Sequence, residues 1–352
     1  MRIALVAAPW LPVPPPAYGG SEGVIDRLAT GFVEAGHDVL LVTTGDSTCP
    51  VPRAWARARS APDQMGQSAV ELHHLFSAYD RVADFDIVHD HTVLGPLYAQ
   101  GRFRGQVVTT NHGPFAEEVN AIYARAVPPT ALVAISHDHA SRSPVPVSAV
   151  IHHGVRPTDF PVGAGEGDYL LFLGRFSPDK GAREAALAAH EAGVDLIIAA
   201  KMRQPDEVEY FHDEVEPLLD SSVRYVGEIG MQRKLELLGS ARALLNPIRW
   251  PEPFGLVMIE ALACGTPVLT LRSGAAPEIV DHGITGFVCD SDAELVSAID
   301  QIGRLDRAAC RRAVEARFSA ARMVSDHLRL YQRLLDARDQ VVTGVDAGPT
   351  LL

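Results

Sequence analysis

At 352 residues, 47% of them hydrophobic, the chain exceeds what one core usually fills, so two domains are expected. Its 31 basic residues against 44 acidic ones leave a net charge of −13, which argues against nucleic acid or an anionic membrane as the main partner. Cys49, Cys264, Cys289 and Cys310 are far apart and form no C-x-x-C pair, indicating neither a zinc knuckle nor a disulfide framework but reduced, intracellular thiols. The apolar run after Met1-Arg2 is too short for a signal peptide and no segment matches a bilayer span, so a soluble cytoplasmic protein is expected.

The chain opens on Ile3 to Ala8, a buried parallel strand that Pro9 ends, followed by a Pro-rich loop from Pro9 to Ala17, then Gly19-Gly20 and a helix from Glu22 to Ala35. Strand, glycine loop and helix form a phosphate-site geometry, although a flexible loop capped by Ser21 fits the same residues. Gly36-His37-Asp38 turns into the strand Val39 to Thr43, completing a βαβ unit. Asp46 to Gln67, rich in Pro, Ala, Ser and Arg and without period, reads as a surface excursion.

Apolar runs at Phe85 to Val88, Val107 to Asn111, Leu132 to Ser136 and Val147 to Ile151 continue the sheet. Histidines fall at the expected strand ends: His73-His74, His89, His91, His112, His137, His139 and His152-His153. The carboxyl ends of parallel strands face the ligand crevice. His89-Asp90-His91 admits a metal reading, but it lacks a third ligand and the H-E-x-x-H and H-x-x-E-H patterns are absent, so strand-end packing is the simpler one.

Pro161 to Gly167 reads as the passage between domains, and Tyr169 to Leu173 as the first strand of the second. Arg175 and Lys180 bracket the turn that follows, where two cations could converge on a diphosphate or simply face water. Further strands are expected at Val194 to Ala200, Val223 to Val226, Ala243 to Leu245, Val268 to Leu271 and Gly286 to Val288.

The most informative stretch runs from Pro251 to Val268. Pro253 suits a first helical turn, Leu256 to Ala263 carry the apolar residues of a buried helix, and Gly265 with Pro267 stops it. The amides opening at Phe254, Gly255 and Leu256 lack intrahelical partners and suit a phosphate or a ring of hydroxyls. Glu252 and Glu260 are eight residues apart, in helical geometry roughly 12 Å of rise, so they could touch two parts of one elongated ligand. Alternatively Glu252 is a helix-dipole partner and Glu260 a solvated or paired residue, although a free carboxylate between Ile259 and Ala261 is costly.

Glu252 to Glu260, with its flanking Pro-Phe-Gly and Ala-Cys-Gly-Thr-Pro-Val, resembles the E-x7-E signature of the retaining GT-B glycosyltransferases of family 4. Gly174-Arg175 to Lys180-Gly181 resembles that family's diphosphate clamp. Asp86 to His91, Thr110-Asn111-His112-Gly113, Gly274 to Val280 and Asp281 to Gly286 are similar to other family segments, with Ala275 in place of a second Gly, His282 added before Gly283, and His153-Gly154 where Asn-Gly is usual. The resemblance implies an α/β, GT-B fold with two doubly wound Rossmann-like domains facing a central cleft. Residues 1–155 would form the acceptor-side domain and 165–322 the nucleotide-sugar-binding domain, with a helix at about 323–340 packing back on the first.

The implied activity is transfer of a sugar from a nucleotide sugar, UDP-linked, to an acceptor hydroxyl with retention. His112, Glu252, Arg175 and Lys180 would be catalytic. Gly19, Gly20, Met202, Ile229, Phe254, Gly255, Leu256 and Glu260 would join Arg175, Lys180 and Glu252 in holding the donor. His91 and Ser136 would lie on the acceptor side. Met202 and Ile229 also fit as core or rim hydrophobes. No cofactor or metal is required. Rival readings are a sugar-nucleotide epimerase or phosphorylase on the same fold, a metal-dependent hydrolase using His89-Asp90-His91, and an inactive sugar-nucleotide binder. The Ala, Arg and Pro content suggests an actinobacterial source and antibiotic biosynthesis.

Overall fold

A computed structural model describes residues 1–16 and 19–345. Seven parallel strands, β1 (Arg2–Val6), β2 (Asp38–Thr43), β3 (Arg53–Trp55), β4 (Ile87–Asp90), β5 (Gln106–Thr110), β6 (Ala131–Ala134) and β7 (Ala149–Val150), lie in the order β3-β2-β1-β4-β5-β6-β7. β1 shows why the sequence reads as an unbroken apolar run. Ile3 and Leu5 pack on one core with Val24, Ile25, Leu28 and Phe32 of the helix Gly20–Glu34. Ala4 and Val6 pack on the other with Leu75, Ala78 and Tyr79 of the helix Ser68–Arg81. A strand covered by helices on both faces has no solvent side for polar residues.

The second half repeats the plan with β8 (Tyr169–Arg175), β9 (Asp195–Lys201), β10 (Val223–Tyr225), β11 (Ala243–Asn246), β12 (Val268–Leu271) and β13 (Gly286–Cys289) in the order β10-β9-β8-β11-β12-β13, again all parallel. Leu171 and Leu244 face one core of this domain, Leu170, Phe172 and Leu245 the other. The chain passes between domains twice, and the passages are hydrogen-bonded side by side: the Val155 amide donates to Phe318 (2.9 Å) and the Ala320 amide to Val155 (2.7 Å). The final helix, Ala320–Val345, then places Met323, Val324, Leu330 and Tyr331 in the core of the first domain.

Several local expectations are corrected. The stretch from Asp46 to Gln67 contains β3, which pairs with β2 from Leu41 opposite Arg53 to Thr43 opposite Trp55 and is too short to show a period. His74 lies within the helix Ser68–Arg81 rather than at a strand end, and its Nε2 meets the Ala7 carbonyl at 3.0 Å. Gly19, not Ser21, is the N-cap of the first helix, which begins at Gly20. Pro253 precedes its helix: Gly255, at φ +93°, breaks the path, and the helix runs Leu256–Ala263. The helical rise between Glu252 and Glu260 therefore does not apply. Ala17, at the end of the Pro-rich loop, and residues 346–352 of the tail lie outside the described residues. All four cysteines are buried and unpaired, and no helix among the described residues is long and apolar enough to cross a membrane.

Candidate active site

In each sheet the chain starts in the middle, works outward to one edge, and returns to the other side of the first strand, so strand order reverses between β1 and β4 and between β8 and β11. Such a reversal leaves a crevice at the carboxyl ends of the strands. Here the two crevices form one cavity of about 500 Å³, within the usual size of a small-molecule site. Gly19 and Gly20 after β1 and His112 after β5 line it from the first domain. Gly174 at the end of β8, Lys180, Asn246 at the end of β11, Trp250 and the stretch Glu252 to Val257 line it from the second.

Two ion pairs mark the second-domain wall. Lys180 Nζ donates to both Glu252 oxygens, at 2.7 and 2.6 Å, and lies 5.5 Å from the centre of the Trp250 ring. Lys234, on the helix Met231–Ser240, donates to both Glu260 oxygens at 3.0 Å. The Glu260 side chain is 14% exposed, and such a carboxylate persists in an apolar helix because a cation and its hydrogen bonds compensate it. Between the glutamates, Phe254 is buried and the helix opens into the cavity at Leu256 and Val257, whose amides have no intrahelical acceptor.

The first-domain wall is built on imidazoles. His112 Nε2 meets His91 Nδ1 at 2.8 Å, and His112 Nδ1 meets His153 Nε2 at 3.3 Å. Burial and then the neighbouring His139 and His327 push the His112 pKa down to about 3, and burial holds His91 and His153 well below the ordinary value. These rings are therefore neutral near pH 7 and act as hydrogen-bonding groups rather than cations. Asp90 points elsewhere. It accepts from the Thr92 amide and hydroxyl, both at 2.7 Å, and from the Tyr79 hydroxyl at 2.8 Å, while His89 is held by Thr110 and Tyr331. Among the described residues no three His, Cys, Asp or Glu side chains are grouped as a metal ion would need. The hydrolase reading of His89-Asp90-His91 is not favoured.

The domains also touch beyond the cavity. Ser136 caps the helix His137–Ser141 by accepting from the His139 amide and donates its hydroxyl to the Pro253 carbonyl at 2.7 Å. Glu278 accepts from the amides of His137 and Asp138 and from His152 Nε2, each at 2.8 Å. Burial alone would raise its pKa, but these bonds outweigh it and the net shift is downward.

Comparison with known proteins fits this architecture half by half. Residues 18–159 match the model of Glycosyltransferase Family 4, and residues 159–317 match that of Glycosyl transferases group 1. The chain is a GT-B glycosyltransferase. It is of the hexosyltransferase class, and the reading as a sugar-nucleotide epimerase or phosphorylase is not favoured. It is 29% identical to a glycogen synthase of Mycobacterium tuberculosis, over 93% of this chain and 91% of that one. AviGT4, a glycosyltransferase involved in avilamycin A biosynthesis, is 27% identical with a TM-score of 0.71, covering 95% of this chain and 98% of that one. Anabaena HepE, solved with UDP and glucose, shares the fold at 18% identity and a TM-score of 0.75, over 94% and 98% of the two chains.

Of the residues singled out in this glycosyltransferase's sequence, Gly19, Gly20, His112, Lys180, Ile229, Glu252, Phe254, Gly255, Leu256 and Glu260 meet in the cavity wall. Arg175 and Met202 are not part of that wall: Arg175 turns to Asp179 at 3.4 Å with its side chain 41% exposed, and Met202 packs beside the core behind β9. His91 supports His112 from behind, and Ser136 bridges the domains. Sequence reasoning missed Arg27, Lys234, Trp250 and the place of His153 in the wall. The burial of Glu260 implied a cation, but no spacing rule points from Glu260 to Lys234.

Proposed function

We propose that this glycosyltransferase moves a sugar from a UDP-sugar to an acceptor hydroxyl with retention of configuration. The observation that carries this reading is the convergence of Lys180, the amides at Leu256 and Val257, Glu252 and Glu260 on one cavity at both strand-order reversals. The UDP and glucose bound by Anabaena HepE support the donor class, and the match of the first half to the Family 4 model supports retention. In this reading Lys180 and the helix amides neutralise the diphosphate as it leaves, so no metal ion is called on. Arg175, already tied to Asp179, would add its charge from outside the wall. Glu260 holds the ribose, Glu252 and His112 orient the donor sugar, and Ile229 packs on the base. The acceptor oxygen bonds to the anomeric carbon on the face that the diphosphate leaves, and the acceptor proton passes to the diphosphate.

The likeness to AviGT4 supports a small-molecule acceptor and a place in antibiotic biosynthesis. Four buried, unpaired thiols support a reducing, cytoplasmic setting. The test is a thermal-shift screen of nucleotide sugars, then product mass and the anomeric configuration by NMR. Stabilisation by UDP-sugars and an unchanged anomeric configuration are expected. An inverted product would remove the retaining mechanism, and no transfer from any nucleotide sugar would remove the reading.

A further inference from the structure

The helix Gly20–Glu34 brings a cation into the cavity that neither ion pair uses. Arg27 lines the wall together with Gly20, Ser21 and Gly23 of the same helix. Helical side chains lean toward the helix N-terminus, and the Arg27 guanidinium lies back over Gly23: a Cβ there would meet its two terminal nitrogens at 3.4 and 3.5 Å. Because residue 23 has no side chain, the guanidinium is carried toward the end of the helix where Gly19 and Gly20 open. Its Nε is buried and has no hydrogen-bond partner among the described residues. The carboxylates that act on Arg27 through their field are Glu260, Asp26 and Asp159, with Arg156 opposing them. Glu260 is already held by Lys234 at 3.0 Å. A guanidinium so placed, beside the positive end of a helix and with an unused donor, fits an anion with several oxygens.

We propose that Arg27 is a donor-binding residue, contacting the phosphates of the nucleoside diphosphate from the first domain while Lys180 contacts them from the second. This rests on the donor reading above and deepens it: the clamp is split across the cleft, so phosphate binding draws the domains together. Lys180 and Arg27 line the same cavity, whereas Arg175 does not. A contact made only when both walls surround the ligand favours the state that excludes water from the transferred sugar.

The test uses the full chain and calorimetry. UDP, ADP, GDP and dTDP are titrated into the wild type, and the tightest of them, with its parent nucleoside, into R27M and R27Q. Both variants are expected to bind the diphosphate roughly ten- to a hundredfold more weakly, the range for a charged hydrogen bond, and the nucleoside as well as the wild type does. Unchanged diphosphate affinity in a folded variant would overturn the proposal, as would an equal loss for diphosphate and nucleoside, which marks a general disturbance of the site. Wild-type protein that binds none of the four diphosphates would instead overturn the donor reading, and the proposal with it.

Discussion

Lys180 and Glu252 hold each other at 2.6 Å in the cavity wall, with side chains only 13% and 21% exposed. Two unit charges about 4 Å apart in surroundings of effective dielectric 20 attract by roughly 4 kcal/mol, so a diphosphate arriving at Lys180 competes with a real partner. That competition separates the two residues experimentally. Lys180→Ala should weaken UDP binding roughly tenfold, because it removes a charge-assisted contact. Glu252→Gln should leave UDP affinity unchanged or raised, since Lys180 is released, while turnover falls because the sugar loses its partner. Calorimetry and steady-state rates on both variants decide the matter, and an E252Q protein that loses UDP as strongly as K180A would reverse the assignment. This coupling was not legible in the sequence, where the residues stand 72 positions apart. What was legible is that Lys180 stands at a turn where a diphosphate could meet it, and that Glu252 stands just before a helix start.

Elements were legible in proportion to how fully they are buried. β1, the buried middle of β8 and the apolar residues of the helix Leu256–Ala263 were legible because burial selects unbroken apolar runs, whereas the start of that helix, where it opens into the cavity, was placed too early. β3, with three residues, left no pattern, and its place comes from pairing with β2, whereas β7 lies within the run Val147 to Ile151 that read as a strand but shortens to the two residues that pair with β6. Read from sequence, the passage between domains fell at Pro161 to Gly167, and the reason for Gly154 was not visible. A Cβ at Gly154 would sit 2.5 Å from the Ser319 carbonyl oxygen and 2.9 Å from the Ala320 amide nitrogen, and neither backbone atom can move without breaking the paired crossings at Val155. Gly154→Ala should therefore destabilise by about 1–3 kcal/mol, as overpacking typically does. Chemical denaturation would show it as a lower midpoint. A midpoint equal to that of the wild type would mean that the crossings yield.

At the scale of the molecule, the last helix does more than close the first domain: it completes a column of five imidazoles. His327 from that helix lies 5.1 Å from His89, which lies 4.1 Å from His91. His112 follows at 5.1 Å and His153 at 5.2 Å, measured between ring centres. The histidines were visible as a cluster at strand ends, but the sequence could not show that they follow one another in a row, since His327 comes from the far end of the chain. Burial first lowers the pKa of every ring in the column, to about 4 for His327 and about 3 for His112; neighbouring imidazoles add to it at His89, His91, His112 and His153, and Arg322 adds to it at His327. Between these values and the ordinary 6.5 the unfolded chain binds more protons than the folded one, so stability rises with pH across that window. It should be complete above about pH 7 and drain away as pH falls from 6.5 toward 4. A shift from 6.5 to about 4 in one ring is worth about 3 kcal/mol, against a net stability of roughly 5–15 kcal/mol for a domain, so the column should dominate the acid limb. Urea midpoints measured from pH 7.5 down to 4.5 should fall steeply, and His327→Leu should flatten the fall by removing one titrating ring and the repulsion it exerts on His89, His91, His112 and His153. Wild-type midpoints that stay level between pH 7.5 and 5 would show that the column takes up protons without cost.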